Sequence, residues 1–333
     1  MFTKRVITVC FLLFFALITC IGMPEPVAAK DETRNMQSEV EAMRHSYREM
    51  IPLTGPGDPV KEVREMTIRT DNPARDIPLR VYFPLQETQQ DSLPVFLLVH
   101  GGGFVSGDFN THDTLARGIA NNAGCIVVSV GYRLAPENPF PAGLEDVYAA
   151  LLWSKNSADS IGADGTRIIV GGDSAGGNLA AAVSLLSRDR NGAKIIGQWL
   201  MYPTLSNKMD TESWAKLGDT HFPTREVNSM IIAAYTPEGE SPYAPLVAPL
   251  WADLKNLPPA LIQAGGLDPL SDECRQFAQK MKESGSEATF LFYPEFQHGF
   301  LQFYKDEKNF PGAAPAFEQG VSWLREKFSQ KAP

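Results

Sequence analysis

The chain has 333 residues, of which 44% are hydrophobic and 21% charged, a composition typical of a globular protein. This length allows one large domain or two smaller ones. The formal net charge is −9, and no run of lysine and arginine follows the first few residues. Nucleic-acid binding needs clustered positive charge to neutralise phosphates, so the composition disfavours it.

The N-terminal segment has the pattern of an export signal. Two basic residues precede an apolar run over residues 6–21, and small residues follow up to Ala29. This pattern predicts a signal peptide over residues 1–29 and an exported protein, periplasmic or secreted. Two alternatives stay open. Lipidation at Cys20 would give a membrane-anchored lipoprotein, and an uncleaved anchor is possible, although the apolar run is slightly short for one.

Four cysteines occur, and two of them, Cys10 and Cys20, lie in this leader. Only Cys125 and Cys274 would remain in the mature protein. Cys125 opens an apolar strand pattern and Cys274 lies in a helix pattern, so a disulfide framework is not supported.

The first elements after the leader are a helix pattern and two strand patterns. Residues 31–50 place apolar side chains at helical spacing, and a loop rich in proline and glycine follows over residues 52–59. Strands are predicted over residues 63–70 and 78–83.

From residue 93 short apolar strands alternate with helices. Strands are predicted at 95–99, 126–130, 167–170, 195–201, 260–264 and 288–293, and helices at 112–122, 144–156, 175–188, 272–284 and 314–328. Short apolar runs separated by helices predict an α/β fold with a mostly parallel sheet covered by helices on both faces.

The segment at 206–249 interrupts this alternation. It contains no buried strand pattern but carries Trp214, Phe222 and Tyr235. We interpret it as a lid over a pocket, with these three aromatic residues as candidate substrate-binding residues. The alternative is a solvent-exposed excursion, although loops of this length without a role are uncommon.

A candidate nucleophile lies between the strand at 167–170 and the helix at 175–188. The sequence Gly172-Asp-Ser-Ala-Gly176 matches the pattern G-x-S-x-G, in which a serine occupies a sharp strand-to-helix turn. The pattern alone occurs by chance, as a glycine-rich turn, but the flanking strand and helix favour Ser174 as a nucleophile.

A second glycine-rich segment, His100-Gly-Gly-Gly103, follows the strand at 95–99. A phosphate-binding loop of the Walker type would need Gly-Lys-Ser/Thr, which is absent. Glycines let backbone N–H groups approach a substrate oxygen, as an oxyanion hole requires. The N–H of Ala175, the residue after the candidate nucleophile, would complete that hole.

The candidate base follows from chain order. Hydrolases with a G-x-S-x-G turn after a strand carry their catalytic residues in the order nucleophile, acid, histidine. Of the five histidines only His221 and His298 follow Ser174. His221 lies in the predicted lid, whereas His298 follows the strand at 288–293 by a short loop. The sequence therefore predicts His298 as the base.

The candidate acid should end the preceding strand. Asp268 lies just beyond the strand at 260–264, whereas Asp272 and Glu273 fall in the first turn of the next helix, where acidic residues commonly serve the helix dipole. Asp268 is the stronger candidate, and Asp272 is the alternative.

These motifs together resemble those of bacterial hormone-sensitive-lipase-like esterases, in the subgroup with Gly-Asp-Ser-Ala-Gly. The resemblance covers about residues 60–330. It rests on the segments already quoted and on Tyr132-Arg-Leu-Ala-Pro-Glu137, Pro139-Phe-Pro-Ala142, Asp268-Pro-Leu-Ser-Asp-Glu273 and His298-Gly-Phe300. It implies an α/β-hydrolase domain over 30–333, with a helical cap formed by about 30–60 and 206–249.

The resemblance also implies a function. It predicts a serine carboxylesterase that hydrolyses short- to medium-chain acyl esters through an acyl-enzyme and needs no metal or cofactor. Its partner would be a small-molecule ester, with no stable membrane partner unless Cys20 is lipidated. An amidase or deacetylase with the same machinery and a non-catalytic small-molecule receptor are the alternatives. By resemblance the triad is Ser174, Asp268 and His298, and the oxyanion hole is Gly102, Gly103 and Ala175.

Overall fold

A computed structural model of the chain describes residues 30–71, 73–85 and 92–330. The predicted signal peptide, with Cys10 and Cys20, lies outside the described residues. Cys125 and Cys274 are both buried free thiols.

Eight strands form one sheet, and their order across the sheet is β1-β2-β4-β3-β5-β6-β7-β8. β1 and β2 pair antiparallel, β2 is antiparallel to β4, and all other neighbours are parallel. The strands are β1 Glu62–Asp71, β2 Ala74–Phe83, β3 Leu93–Val99, β4 Ile126–Val130, β5 Ala163–Asp173, β6 Gly197–Met201, β7 Ala260–Leu267 and β8 Ala288–Gln297.

Helices cover both faces of this sheet. They are α1 Lys30–Met50, α2 Asp113–Ala123, α3 Ala142–Asn156, α4 Ala175–Asp189, α5 Glu212–Leu217, α6 Arg225–Tyr235, α7 Ser271–Glu283 and α8 Ala313–Ser329, with short 3₁₀ turns at Ile51–Thr54, Ala158–Ile161, Pro249–Trp251 and Phe300–Phe303. This architecture agrees with the predicted α/β fold, a mostly parallel sheet with helices on both faces.

The core explains why the central strands are apolar throughout. Along β3, Val95, Leu97 and Val99 belong to one apolar cluster, and Phe96 and Leu98 belong to the other. Successive side chains of a strand point to opposite faces, so a strand covered on both faces needs apolar residues at every position.

The topology brings two loops together at the carboxyl edge of the sheet. β3 lies between β4 and β5, so the direction of strand order reverses beside it. Its last residue, Val99, is in register with Gly172 of β5. The segment after β3 and the turn after β5 therefore leave the sheet side by side, where ligands of open α/β sheets bind.

The two predicted cap segments contain α1, α5 and α6. Arg44 of α1 donates to the Val105 carbonyl at 2.8 Å and pairs with Glu137 at 2.7 Å, which attaches this helix to the loops beyond β3 and β4. In the described part of the chain, no helix is both long and apolar enough to span a membrane.

Candidate active site

Ser174 occupies a sharp turn between β5 and α4. Its φ of +53° is uncommon for a residue with a side chain, and backbone strain of this kind concentrates at functional sites. The Ser174 N–H donates to the Met201 carbonyl at 2.8 Å, which holds the turn against the end of β6. The hydroxyl is thereby presented at the carboxyl edge of the sheet.

The glycines on either side of Ser174 allow a close backbone approach. A Cβ atom on Gly172 or on Gly176 would overlap the Val99 carbonyl oxygen at the end of β3. Both positions therefore require glycine, and this close approach fixes the serine turn against the segment that follows β3.

His298 and Asp268 complete a hydrogen-bonded chain with Ser174. His298 Nε2 lies 2.9 Å from Ser174 Oγ, and His298 Nδ1 lies 2.8 Å from Asp268 Oδ2. Asp268 is fully buried, and its other oxygen accepts the Leu270 N–H at 2.9 Å. A carboxylate at Nδ1 requires a proton there, which leaves the Nε2 lone pair free to accept the serine proton.

The competing acid and base candidates lie elsewhere. Asp272 accepts the backbone N–H of Ser213 at 2.8 Å, so it joins α7 to α5. His221 contacts the neighbouring Thr220 hydroxyl at 3.0 Å, at a partly exposed position. His100 is buried, and desolvation, assisted by the nearby His112, lowers its pKa to about 4. It is therefore neutral at physiological pH and stacks on Tyr132.

The glycine-rich segment after β3 presents backbone N–H groups beside Ser174. Gly102 and Gly103 have φ values of +121° and +62°, a region that favours glycine. The Gly102 carbonyl accepts the N–H groups of Val105 and Ser106, which holds the peptide that carries the Gly103 N–H. Among the described residues, the N–H groups of Gly102, Gly103 and Ala175 donate to no protein acceptor, so they remain free to bind an oxyanion.

Two cavities meet at Ser174. The larger also borders His298, and the smaller also borders Gly103. Apolar side chains of the larger include Met50, Leu53, Phe303 and Phe310, and those of the smaller include Met43, Ile231 and Leu270. Both predicted cap segments contribute side chains to these walls.

Of the three aromatic residues predicted to bind substrate, only Phe222 lines these cavities, and it borders both. Trp214 and Tyr235 do not border either cavity. Trp214 is buried in α5 beneath the Arg225 guanidinium, 5.7 Å from its ring centre. Tyr235 stacks on Phe104 with ring centres 3.8 Å apart, beyond the end of the smaller cavity. Both side chains stabilise the packing of the cap.

The sequence interpretation missed several wall residues. Ile231 and Asn228 lie one helical turn apart on α6, and a helical-face analysis of 225–235 would have grouped them. Phe303 and Phe310 line the larger cavity. They follow His298 in a segment rich in phenylalanine, and that composition could have indicated an apolar wall. Tyr47, on the helix predicted over residues 31–50, also borders both cavities.

A further titratable group lies behind the site. Glu273 of α7 is buried, and desolvation raises its pKa to about 8. Its Oε1 accepts the Leu205 N–H at 2.6 Å. The described residues contain no group of three or more His, Cys, Asp and Glu side chains that could hold a metal ion.

Comparisons with known proteins show the family and the fold to which this site belongs. The family model of the alpha/beta hydrolase fold matches residues 96–302. The chain is 38% identical to carboxylesterase NlhH of Mycobacterium tuberculosis, over 80% of this chain and 83% of that one. It is 34% identical to an arylesterase of Saccharolobus solfataricus, over 74% and 79%. The crystal structure of EstE1, a thermostable carboxylesterase cloned from a metagenomic library, is similar with a TM-score of 0.81 and 36% identity, covering 89% of this chain and 98% of that chain.

Proposed function

The chain belongs to the α/β-hydrolase fold family and is a carboxylic ester hydrolase, and we propose that it hydrolyses short- to medium-chain acyl esters through a Ser174–His298–Asp268 triad. The observation that carries this proposal is the hydrogen-bonded chain of these three residues at the junction of two cavities.

The reaction proceeds in two acyl-transfer steps. His298 Nε2 accepts the Ser174 proton while Oγ attacks the ester carbonyl carbon, and the same proton is then given to the departing alcohol oxygen. A water molecule next loses a proton to Nε2 and attacks the acyl-enzyme, and the proton returns to Ser174 Oγ as the acid leaves. Asp268 keeps Nδ1 protonated and stabilises the imidazolium in both steps.

Negative charge develops on the carbonyl oxygen in each tetrahedral intermediate. The N–H groups of Gly102, Gly103 and Ala175 are the donors for this oxygen, since they lie at the two loops that flank Ser174. Such preorganised donors act mainly on the transition state, and removal of one donor in comparable enzymes costs about 10²–10³ in kcat.

The two cavities support the proposed substrate class. The departing alcohol must take its proton from His298, so it occupies the larger cavity, which His298 borders. The acyl group then extends into the smaller cavity, past Gly103 towards Ile231 and Leu270. This cavity is the smaller of the two, which favours short to medium acyl chains. Each buried methylene contributes about 0.8 kcal/mol until the cavity is full, and longer chains must leave it or strain it.

The experiment is a profile of kcat/KM against p-nitrophenyl esters of increasing acyl length. We expect a maximum at short to medium chains and poor hydrolysis of palmitate. A steady rise to palmitate with activation at an oil–water interface would contradict the substrate class.

A second measurement tests the nucleophile. A fluorophosphonate probe should label Ser174 of the wild type, and Ser174→Ala should remain folded, resist labelling and lose on the order of 10⁶ in turnover. A variant that keeps more than a few per cent of the activity would exclude Ser174. An unlabelled, inactive wild type would instead favour a receptor on this fold.

A further inference from the structure

A carboxylate that none of these chemical steps uses lies directly beside the nucleophile. Asp173 ends β5 and is 2% exposed. Its Oδ1 accepts the Gly101 N–H at 2.8 Å and lies 2.9 Å from His112 Nε2. A side chain on Gly101 would overlap the carboxylate, so glycine at that position permits the contact.

This carboxylate remains ionised although it is buried. Burial raises the pKa of Asp173, but the neighbouring His112 and the Gly101 N–H together lower it below its ordinary value. His112 is itself fully buried, with its Nδ1 2.8 Å from Thr111 Oγ1 and its Nε2 against the Gln302 amide. A buried carboxylate with two fixed partners holds a defined position.

The Gly101 contact acts on one particular peptide group. The Gly101 N–H and the His100 carbonyl belong to the same peptide plane. Asp173 accepts from its N–H end, and the Tyr132 hydroxyl donates to its carbonyl end at 2.9 Å. This plane is therefore clamped at both ends.

We infer that Asp173, held by His112, is a positioning residue for the oxyanion hole, an inference that rests on the proposed function. Gly102 and Gly103 follow the clamped peptide and have no side chains of their own to fix their orientation. The peptide that carries the Gly102 N–H follows the clamped one directly, so the clamp helps to set the direction of this N–H before substrate binds. The hydrogen bonds to the Gly102 carbonyl hold the next peptide, which carries the Gly103 N–H. Loss of the clamp leaves ground-state binding intact and weakens contacts made only in the transition state.

The test uses Asp173→Ala, Asp173→Asn and His112→Ala, each measured on an ester and on its thionoester analogue. Sulfur is a poor hydrogen-bond acceptor, so a working oxyanion hole makes the ester react much faster than the thionoester. We expect Asp173→Ala to lower kcat about 100-fold, as a misplaced group can. KM should change less than about threefold, and the ester/thionoester ratio should fall towards one.

The other variants should grade this effect. Asp173→Asn keeps an acceptor for Gly101 and should lose less kcat, and His112→Ala should fall between the two. Tyr132→Phe frees the carbonyl end of the same peptide and should lower the ratio as well. If Asp173→Ala does not fold, Asp173→Asn, His112→Ala and Tyr132→Phe carry the test.

Asp146→Asn is the matched control. Asp146 is as deeply buried as Asp173 and pairs with Arg75 and Arg133, away from the cavities. This variant should unfold at lower temperature with an unchanged ester/thionoester ratio. If the variants at Asp173 and His112 lose kcat while keeping the wild-type ratio, the inference is overturned. If the wild type itself is not labelled at Ser174, the proposed function has failed instead.

Discussion

Replacement of Glu273 by glutamine removes a buried ionisable group while keeping its size and its acceptor oxygen. Glu273 is 1% exposed, and its Oε1 accepts the Leu205 N–H at 2.6 Å. Burial is the main cause that raises its pKa to about 8, and the nearby Asp268 acts in the same direction. The Leu205 N–H only partly opposes this shift. The carboxyl is therefore protonated in the folded enzyme at neutral pH.

The shift makes stability depend on pH. In the unfolded chain Glu273 loses its proton near pH 4.5, whereas in the folded state it keeps the proton to about pH 8. Between these values the folded state binds one more proton, so its stability falls as pH rises. The slope is about 1.4 kcal/mol per pH unit, which gives a total of about 5 kcal/mol across the window and no further change above it.

The assay compares urea unfolding of the wild type and Glu273→Gln at pH 5, 6, 7 and 8. Other groups titrate in both proteins, so the informative quantity is the difference between their unfolding free energies. This difference should move steadily in favour of the variant as pH rises. Glu283→Gln, on an exposed position of the same helix, is the control and should show no such trend. Parallel curves for Glu273→Gln and the wild type would refute the reasoning.

The remaining predictions concern chemistry, specificity and export. Asp268→Asn should lose about 10⁴ in kcat, because it can no longer hold the His298 tautomer, and Asp272→Asn should lose far less; steady-state kinetics would show the reverse order if the assignment were mistaken. Ile231→Ala should move the optimum of the kcat/KM profile to longer acyl chains by enlarging the smaller cavity, and an unmoved optimum would place the acyl group elsewhere. N-terminal sequencing of exported protein should begin at Lys30, whereas a lipidated start at Cys20 would indicate a lipoprotein and a start at Met1 would exclude cleavage.

The catalytic core could be predicted from the sequence because local chemistry constrains it closely. The strand that ends at Val99 approaches Gly172 and Gly176 so tightly that any side chain there would overlap its carbonyl. Such a requirement leaves a fixed pattern of residue types along the chain. The positions of β3 and β5 could be predicted for a similar reason, since a strand buried on both faces is apolar at every position.

The length of β5 shows the limit of that signal. The apolar pattern predicted a strand over residues 167–170, but β5 spans Ala163–Asp173. After the buried Ala163 come four polar or glycine residues that are partly buried or exposed, and the strand ends in Gly171, Gly172 and Asp173. Neither end continues the apolar pattern, and pairing with β3 and β6 extends the strand there.

The cap could not be predicted residue by residue, because residue type does not settle which face of a short helix meets the cavity. On α6, Asn228, Ile231 and Tyr235 share one face at spacings of three and four. The first two border the smaller cavity, while Tyr235 lies one turn further along, against Phe104. Tyr235 therefore lies on the same face of α6 as the residues that border the smaller cavity, but too far along the helix to border it.

The contacts of Asp173 could not be predicted for a different reason, since its partners are distant in sequence. The order of triad residues directs attention to histidines after Ser174, whereas His112 precedes it by 62 positions in the printed chain. Only the pairing of β3 with β5 brings Asp173 to Gly101.

The oxyanion loop and the cap have separate roles, and this separation can be measured. The oxyanion loop is held by buried polar contacts to backbone, and the cap walls are held by apolar side chains. Substitutions in the cap, such as Ile231→Ala, should shift chain-length preference without changing the ester/thionoester ratio, and substitutions at Asp173 or His112 should do the reverse. A single variant series that moved both quantities together would mean that the cap and the oxyanion loop form one cooperative unit.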